Sequence, residues 1–112
     1  MRPTRVRRDK EGREISIVYH PLDREQILRL ESLLYEGGFI ISDFGHVYPQ
    51  EIFDSYKKSR YVPKYYPTTN IGVPAPVGFL RRNNGESSFG IHLDIKSLHP
   101  FTRTVRRICE KI

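Results

Sequence analysis

The stretch from Tyr56 to Tyr66 alternates cationic side chains with tyrosines and is the part of the sequence best suited to binding a polyanion. Lysine and arginine neutralise phosphates and release their counterions, and a tyrosine ring stacks on an unpaired base for about 1–3 kcal/mol. The composition therefore predicts binding of single-stranded RNA or DNA. A purely structural role, in which the tyrosines anchor a long loop to the core, fits their spacing equally well. The candidate contact residues of this segment are Lys57, Lys58, Arg60, Tyr61, Lys64, Tyr65 and Tyr66.

Two further basic groups are candidates for the same surface. Arg81 and Arg82 flank the tip of a predicted hairpin. A basic N-terminal arm adds Arg5, Arg7 and Arg8. Protruding basic hairpins and arms commonly reach into a groove or along a phosphate backbone. Such residues also serve solubility alone, and the sequence does not separate the two roles.

The net charge of +6 is unevenly distributed along the chain. Residues 1–13 carry six basic and two acidic side chains, and residues 55–82 carry six basic and no acidic ones. Residues 14–54 carry two basic and eight acidic side chains. If neighbours in sequence stay close in space, the molecule has separate acidic and basic regions, and a polyanion binds it in one preferred orientation.

Metal and nucleophile chemistry find little support in the sequence. His92 and Asp94 share one face of a predicted strand, and their spacing is that of two ligands in a 2-His-1-carboxylate iron site. Such a site requires a third ligand, and the sequence indicates no residue for that position. No nucleophile elbow, Walker loop, dinucleotide fingerprint or zinc spacing occurs, and Cys109 resembles a small core residue. We therefore assign no catalytic residue, no metal and no cofactor.

Two alternatives to a nucleic-acid-binding protein stay open. One is a small metal-independent ribonuclease, since acid–base cleavage of RNA needs no fixed motif, with His92, Arg81 and Tyr65 as its candidates. The other is a protein-interaction module or inhibitor of an acidic partner, such as a factor of a virus or mobile element, with the tyrosine-rich loop as its contact surface.

The composition indicates one folded domain in a reducing compartment. The 112 residues, 38% of them hydrophobic, match the size and polarity of a single domain. Strictly apolar runs reach only three residues, as in Phe39–Ile41, which is too short for a membrane span or a signal peptide. The single cysteine has no partner within the chain. We expect a cytoplasmic protein with no membrane partner, and the sequence leaves a homodimer open.

The first half of the chain predicts a right-handed βαβ unit. A strand is expected at residues 14–19, because apolar side chains alternate there. A helix follows. Asp23 is the N-cap of its capping box, and Gly37 and Gly38 mark its end. A second strand is expected at residues 39–47, and strand, helix and strand in this order form the unit.

The second half predicts a short helix, a long loop, a hairpin and a last helix. Four prolines exclude regular structure from the loop at residues 61–76. Asn84-Gly85 is the preferred type I′ turn, so a C-terminal β-hairpin is expected with Leu80 opposite Phe89. An amphipathic helix ends the chain.

These elements predict an α+β fold of β-α-β-α-β-β-α order, a two-layer sandwich with a mixed sheet and its helices on one face. The domain covers residues 14–112, behind a flexible basic arm at residues 1–13. The element order resembles that of the Alba chromatin proteins and of the C-terminal domain of bacterial initiation factor three. Both bind nucleic acid, the former partly through a basic hairpin. The resemblance is one of topology, since the residue motifs of both families are missing, and it implies a nucleic-acid-binding surface.

Overall fold

Six strands form one antiparallel sheet in the computed structural model, which describes residues 1–83 and 86–112. In chain order they are β1 (Arg5–Arg8), β2 (Glu14–Leu22), β3 (Phe39–Ile41), β4 (His46–Pro49), β5 (Gly78–Arg82) and β6 (Ser87–His92). Their order across the sheet is β1-β2-β6-β5-β4-β3, and each neighbouring pair is antiparallel. The sheet is thus three hairpins, joined by the pairing of β2 with β6 and of β4 with β5.

The helices pack against this sheet through one shared core. They are α1 (Arg24–Glu36), α2 (Gln50–Ser59) and α3 (His99–Glu110). The apolar stripes of the helices meet the inward side chains of the sheet in one core. The helical members of that core include Ile27, Leu30, Leu34, Ile52, Val105 and Ile108. The predicted α+β class with a C-terminal hairpin and last helix is therefore confirmed.

Local signals for α1 are confirmed in detail. The Asp23 carboxylate accepts a hydrogen bond from the Gln26 N–H at 2.8 Å, and the Gln26 side-chain oxygen accepts one from the Asp23 N–H at 3.0 Å. This reciprocal pair satisfies two of the free N–H groups at the helix start. After the C-cap residue Gly37, Gly38 takes a φ of +86°, the left-handed conformation that ends helices and that glycine adopts readily.

The predicted mixed sheet is wrong, because each neighbouring pair of strands is antiparallel. The predicted βαβ unit occurs in split form, since β2 and β3 are parallel but three strands lie between them. Residues 39–47 do not form one strand but a β3–β4 hairpin, whose turn is closed by a hydrogen bond from the Gly45 N–H to the Ser42 carbonyl at 2.9 Å. The apolar residues on both sides of this turn gave a pattern like one continuous strand. Because the chain reverses here, β4 pairs antiparallel with β5.

Part of the predicted N-terminal arm is an edge strand. In β1, Val6 lies opposite Ile17 and packs against the core. The side chains of Arg5 and Arg7 project to the other face, since neighbours in a strand alternate. The sequence pattern did not indicate this strand, because a single large apolar residue shows no alternation.

The loop at residues 61–76 has no helix or strand, apart from an isolated bridge between Thr68 and Pro74. Tyr66 closes it from the core side, where its hydroxyl donates a hydrogen bond to the Ala75 carbonyl. The predicted Asn84-Gly85 turn lies outside the described residues. The strands on either side of it have the predicted register, with Leu80 opposite Phe89.

Candidate nucleic-acid interface

The sheet has a second face on which α1 and α3 do not pack. Strand alternation turns Ile17, Leu80 and Phe89 toward the helices, so their neighbours in each strand point the other way. We call this second side the open face. Its central residues are Arg5, Arg7, His46, Phe79, Arg81 and His92.

A groove of about 470 Å³ crosses the open face above β6. It forms where Gly90, which has no side chain, lies between Val18 of β2 and Phe79 of β5. Three of its lining residues, Arg5, Arg7 and Arg81, are exposed arginines. None of the described residues that line it is acidic, so the groove has a positive wall and an aromatic floor.

A continuous row of aromatic rings leads from the groove toward α2. The Phe79 ring centre is 4.9 Å from that of His92 on one side and 5.0 Å from that of His46 on the other. The row continues from His46 to Tyr48 at 6.2 Å and from Tyr48 to Phe53 of α2 at 5.8 Å. We call these five residues the aromatic row.

The far end of the aromatic row carries cations from α2. The Lys57 ammonium lies 5.8 Å from the centre of the Phe53 ring, and the Arg60 guanidinium lies 5.1 Å from that of Tyr56. Both are cation–π contacts, which hold an exposed cation next to an aromatic surface. Positive charge therefore borders the row at both ends.

The β3–β4 turn fixes the position of His46. The Gly45 carbonyl accepts a hydrogen bond from the Leu80 N–H at 2.8 Å, which joins the turn to β5. The Ser42 hydroxyl accepts one from the His46 N–H at 3.1 Å. These bonds set the register in which His46 lies opposite Phe79.

The Tyr48 hydroxyl lies 3.3 Å from Nδ1 of His46, within hydrogen-bond range. Burial raises the pKa of Tyr48, with a smaller contribution from Tyr56, so its hydroxyl stays protonated at neutral pH. The pair orients the His46 ring and leaves Nε2 as the nitrogen available to a ligand.

The predicted arginines divide between the two faces of the sheet. Arg5, Arg7 and Arg81 line the groove. Arg82 lies on the helix side, where its guanidinium is 2.9 Å from a Glu31 oxygen of α1. Arg8 also lies away from the groove, 3.8 Å from Glu14. Arg8 and Arg82 are thus paired with carboxylates, and the structure does not bring them to the open face.

Glu14 is the centre of a charged cluster below β1. Arg106 of α3 donates hydrogen bonds to its two carboxylate oxygens at 3.1 and 3.3 Å. These bonds, more than the nearby charge of Arg8, hold the pKa of Glu14 below its usual range. The cluster fastens β2 to α3 and neutralises much of its own positive charge.

The predicted residues of the 56–66 segment lie at the surface with one exception. Lys57, Lys58, Arg60 and Lys64 are exposed, and the side chains of Tyr61 and Tyr65 are 57% and 61% exposed. Tyr66 is only 3% exposed and packs against Phe101, with ring centres 5.6 Å apart. Tyr66 anchors the loop, as the structural alternative expected, and is not available to stack on a base.

Sequence analysis missed His46 and Phe53 as parts of a surface, and Tyr48 as the buried ring between them. The predicted hairpin register, with Leu80 opposite Phe89, implies that Phe79 lies on the other face. The continuous strand predicted at residues 39–47 gave no such indication for the aromatic side chains that follow the β3–β4 turn. Phe44, at the tip of this turn, is 88% exposed, and its ring centre is 6.4 Å from that of His46. The Asp43-Phe44-Gly45 sequence, a turn signal beside an aromatic residue, was the available indication.

The remaining candidate residues, Asp94 and Cys109, do not form a metal site or a nucleophile. β6 ends at His92, so Asp94 lies beyond the paired strand. In the part of the chain that the structure describes, no three His, Cys, Asp or Glu residues group closely enough to hold a metal ion. Cys109 is buried, which raises the pKa of its thiol to about 12 and makes it a poor nucleophile.

None of the helices in the described ranges has the length and apolar character needed to cross a bilayer. No family model matches the chain, and neither a curated protein nor a solved structure matches it. The function of the site therefore has to be inferred from its geometry.

Proposed function

We propose that this protein binds single-stranded nucleic acid on the open face of its sheet. The observation that carries the proposal is the position of Phe79, which is half-buried on the floor of a groove lined by Arg5, Arg7 and Arg81 without a carboxylate. An aromatic floor offers a stacking surface for an unpaired base, and the arginines meet the phosphates that follow it.

The aromatic row favours a single strand over a duplex. Bases in a duplex stack on one another and expose their faces only at the ends, whereas an unpaired strand can place separate bases on separate rings. Phe79 and Phe53 are half-buried and His92 is exposed, so these rings are accessible, whereas Tyr48 is buried and supports its neighbours. Lys57 and Arg60 then meet the phosphates at the far end of the row.

Replacing Phe79 by leucine tests the stacking contribution. The Phe79→Leu variant keeps an apolar side chain over Gly90 but removes the ring, so we expect its affinity for a single-stranded oligonucleotide to fall about tenfold or more. Fluorescence anisotropy of a labelled oligonucleotide, measured against the same sequence as a duplex, gives both affinities. The wild type should prefer the single strand.

The matched control is Tyr35→Leu, which removes a half-exposed ring from α1 on the opposite side of the molecule. Its affinity should equal that of the wild type. Equal losses in both variants, or tighter binding to the duplex, would refute stacking on the open face. Failure of the wild type to bind either form would leave an acidic protein as the ligand for these arginines.

Charge reversal tests the contribution of α2. The triple variant Lys57→Glu, Lys58→Glu and Arg60→Glu should weaken binding of long oligonucleotides about tenfold at low salt, because it repels phosphates at the far end of the row. All three side chains are exposed, so the core stays intact, but carboxylates in the last turn of α2 oppose the helix dipole and should lower the melting temperature by a few degrees. Unchanged affinity would exclude this segment from the interface, and the loss should be smaller for oligonucleotides too short to reach α2.

A further inference from the structure

Two of the four histidines flank the same ring on the open face. His46 from β4 and His92 from β6 contact Phe79 at ring-centre distances of 5.0 and 4.9 Å, both nearly perpendicular to it, at 87° and 85°. Their own ring centres are therefore no farther apart than these two distances together. His20 and His99 lie elsewhere, the first 3.6 Å from Glu86 and the second hydrogen-bonded to the Leu93 carbonyl.

This separation suits acid–base chemistry on a phosphodiester. Cleavage of RNA by its own 2′-hydroxyl requires a base beside the attacking oxygen and an acid beside the leaving oxygen, on opposite sides of phosphorus. When each oxygen is hydrogen-bonded to an imidazole at about 2.8 Å, the two ring centres lie roughly 10 Å apart. His46 and His92 come from strands on opposite sides of β5, and their ring centres are at most about 10 Å apart, so both imidazoles can reach one phosphodiester placed between them.

The surroundings of the two imidazoles suit the same reaction. His92 is exposed, so a substrate can reach its ring nitrogens, and Tyr48 orients His46 through Nδ1. Arg81 lines the same groove and is a donor for the negative charge that develops on the phosphorane. A base stacked on Phe79 would hold the adjoining phosphodiester next to both imidazoles.

We propose that the open face cleaves the RNA that it binds, with His46 and His92 as the general acid–base pair. The neutral imidazole takes the proton of the 2′-hydroxyl, and the 2′-oxygen forms a bond to phosphorus. The bond from phosphorus to the 5′-oxygen breaks, and the protonated imidazole gives its proton to that oxygen. The products are a 2′,3′-cyclic phosphate and a 5′-hydroxyl, and the reaction consumes no water, metal or other reactant. The proposal rests on single-strand binding at this face.

The test uses a labelled oligoribonucleotide, the same sequence in DNA, and a version with one 2′-deoxynucleotide. The wild type should cleave the RNA, leave 2′,3′-cyclic phosphate ends, spare the DNA and skip the bond next to the deoxynucleotide. His92→Asn and His46→Asn should each slow cleavage at least about 100-fold, the usual contribution of a general acid or base. Anisotropy with the non-cleavable DNA measures binding separately, and His92→Asn should lose at least about tenfold more in cleavage than in affinity.

The matched control is His20→Asn, purified in the same way, which should cleave as the wild type does. His92 is exposed, so its replacement tests the proposal even if His46→Asn fails to fold. RNA that stays intact overturns the cleavage proposal, and the DNA-binding measurement decides independently whether single-strand binding stands. Equal cleavage by the wild type and His92→Asn, or products with 3′-hydroxyl ends, would also overturn it.

Discussion

Exchanging Arg7 and Arg81 together for glutamate is expected to reduce the affinity for single-stranded nucleic acid by about 100-fold or more at low salt. Both guanidinium groups line the groove on the open face, one on β1 and the other on β5. Two attractive contacts with phosphate become two repulsive ones. Each lost contact removes about 0.7 from the slope of log K against log salt for a single strand, so the slope should fall by about 1.4.

The control for this double variant is the exchange of Arg103 and Arg107 for glutamate. Both side chains are exposed on α3, across the molecule from the groove, and the net charge changes by the same amount. This variant should lose only a few-fold in affinity through the long-range field. Anisotropy titrations over a series of salt concentrations compare the two, and equal losses would mean that net charge alone, without a preferred face, accounts for binding.

The parts of the fold that sequence analysis predicted well depend on local contacts. The α1 capping box lies within three residues, and the register in which Leu80 lies opposite Phe89 joins two strands that are close in sequence. In both cases the residues that decide the structure lie close to those whose position they fix. Hydrophobic alternation and capping chemistry therefore identified them without knowledge of the rest of the sheet.

Pairings between distant segments could not be predicted in the same way. β2 pairs with β6, so Ile17 lies opposite Ile91. The sequence of neither strand indicates which other strand it pairs with. The open face is assembled from strands in both halves of the chain. Its groove depends on Gly90 lying between β2 and β5, which is a property of the sheet and not of any one segment.

One error in the predicted site was avoidable from strand geometry. Consecutive residues of a strand point to opposite faces, so Arg81 and Arg82 cannot both line one groove, and the same holds for Arg7 and Arg8. The structure separates them accordingly and pairs Arg82 with Glu31 on the helix side. Counting cations along the sequence overstated the positive charge of the open face. Because residues i and i+2 of a strand share a face, alternation alone would have assigned Arg81 and Phe79 to the same surface.

The turn before β4 has the largest expected effect on stability, because the position of His46 depends on it. Gly45 has a φ of +83°, and a Cβ atom placed there would lie 2.1 Å from the Leu80 carbonyl oxygen. No side chain rotation relieves a clash between Cβ and backbone. We expect Gly45→Ala to lower the free energy of unfolding by about 3 kcal/mol or more, through steric displacement added to the cost of a positive φ.

Gly72→Ala is the matched comparison for this substitution. Gly72 has a φ of +79°, but nothing lies within 4 Å of its added Cβ, so only the backbone cost of about 1–2 kcal/mol applies. Urea denaturation of both variants should give clearly unequal losses of stability. Any folded Gly45→Ala protein must move its turn away from β5, which breaks the hydrogen bond from the Leu80 N–H and shifts His46 from Phe79. Its affinity for single strands should therefore fall while that of Gly72→Ala stays unchanged, and equal stability of the two variants would contradict the close approach of this turn to β5.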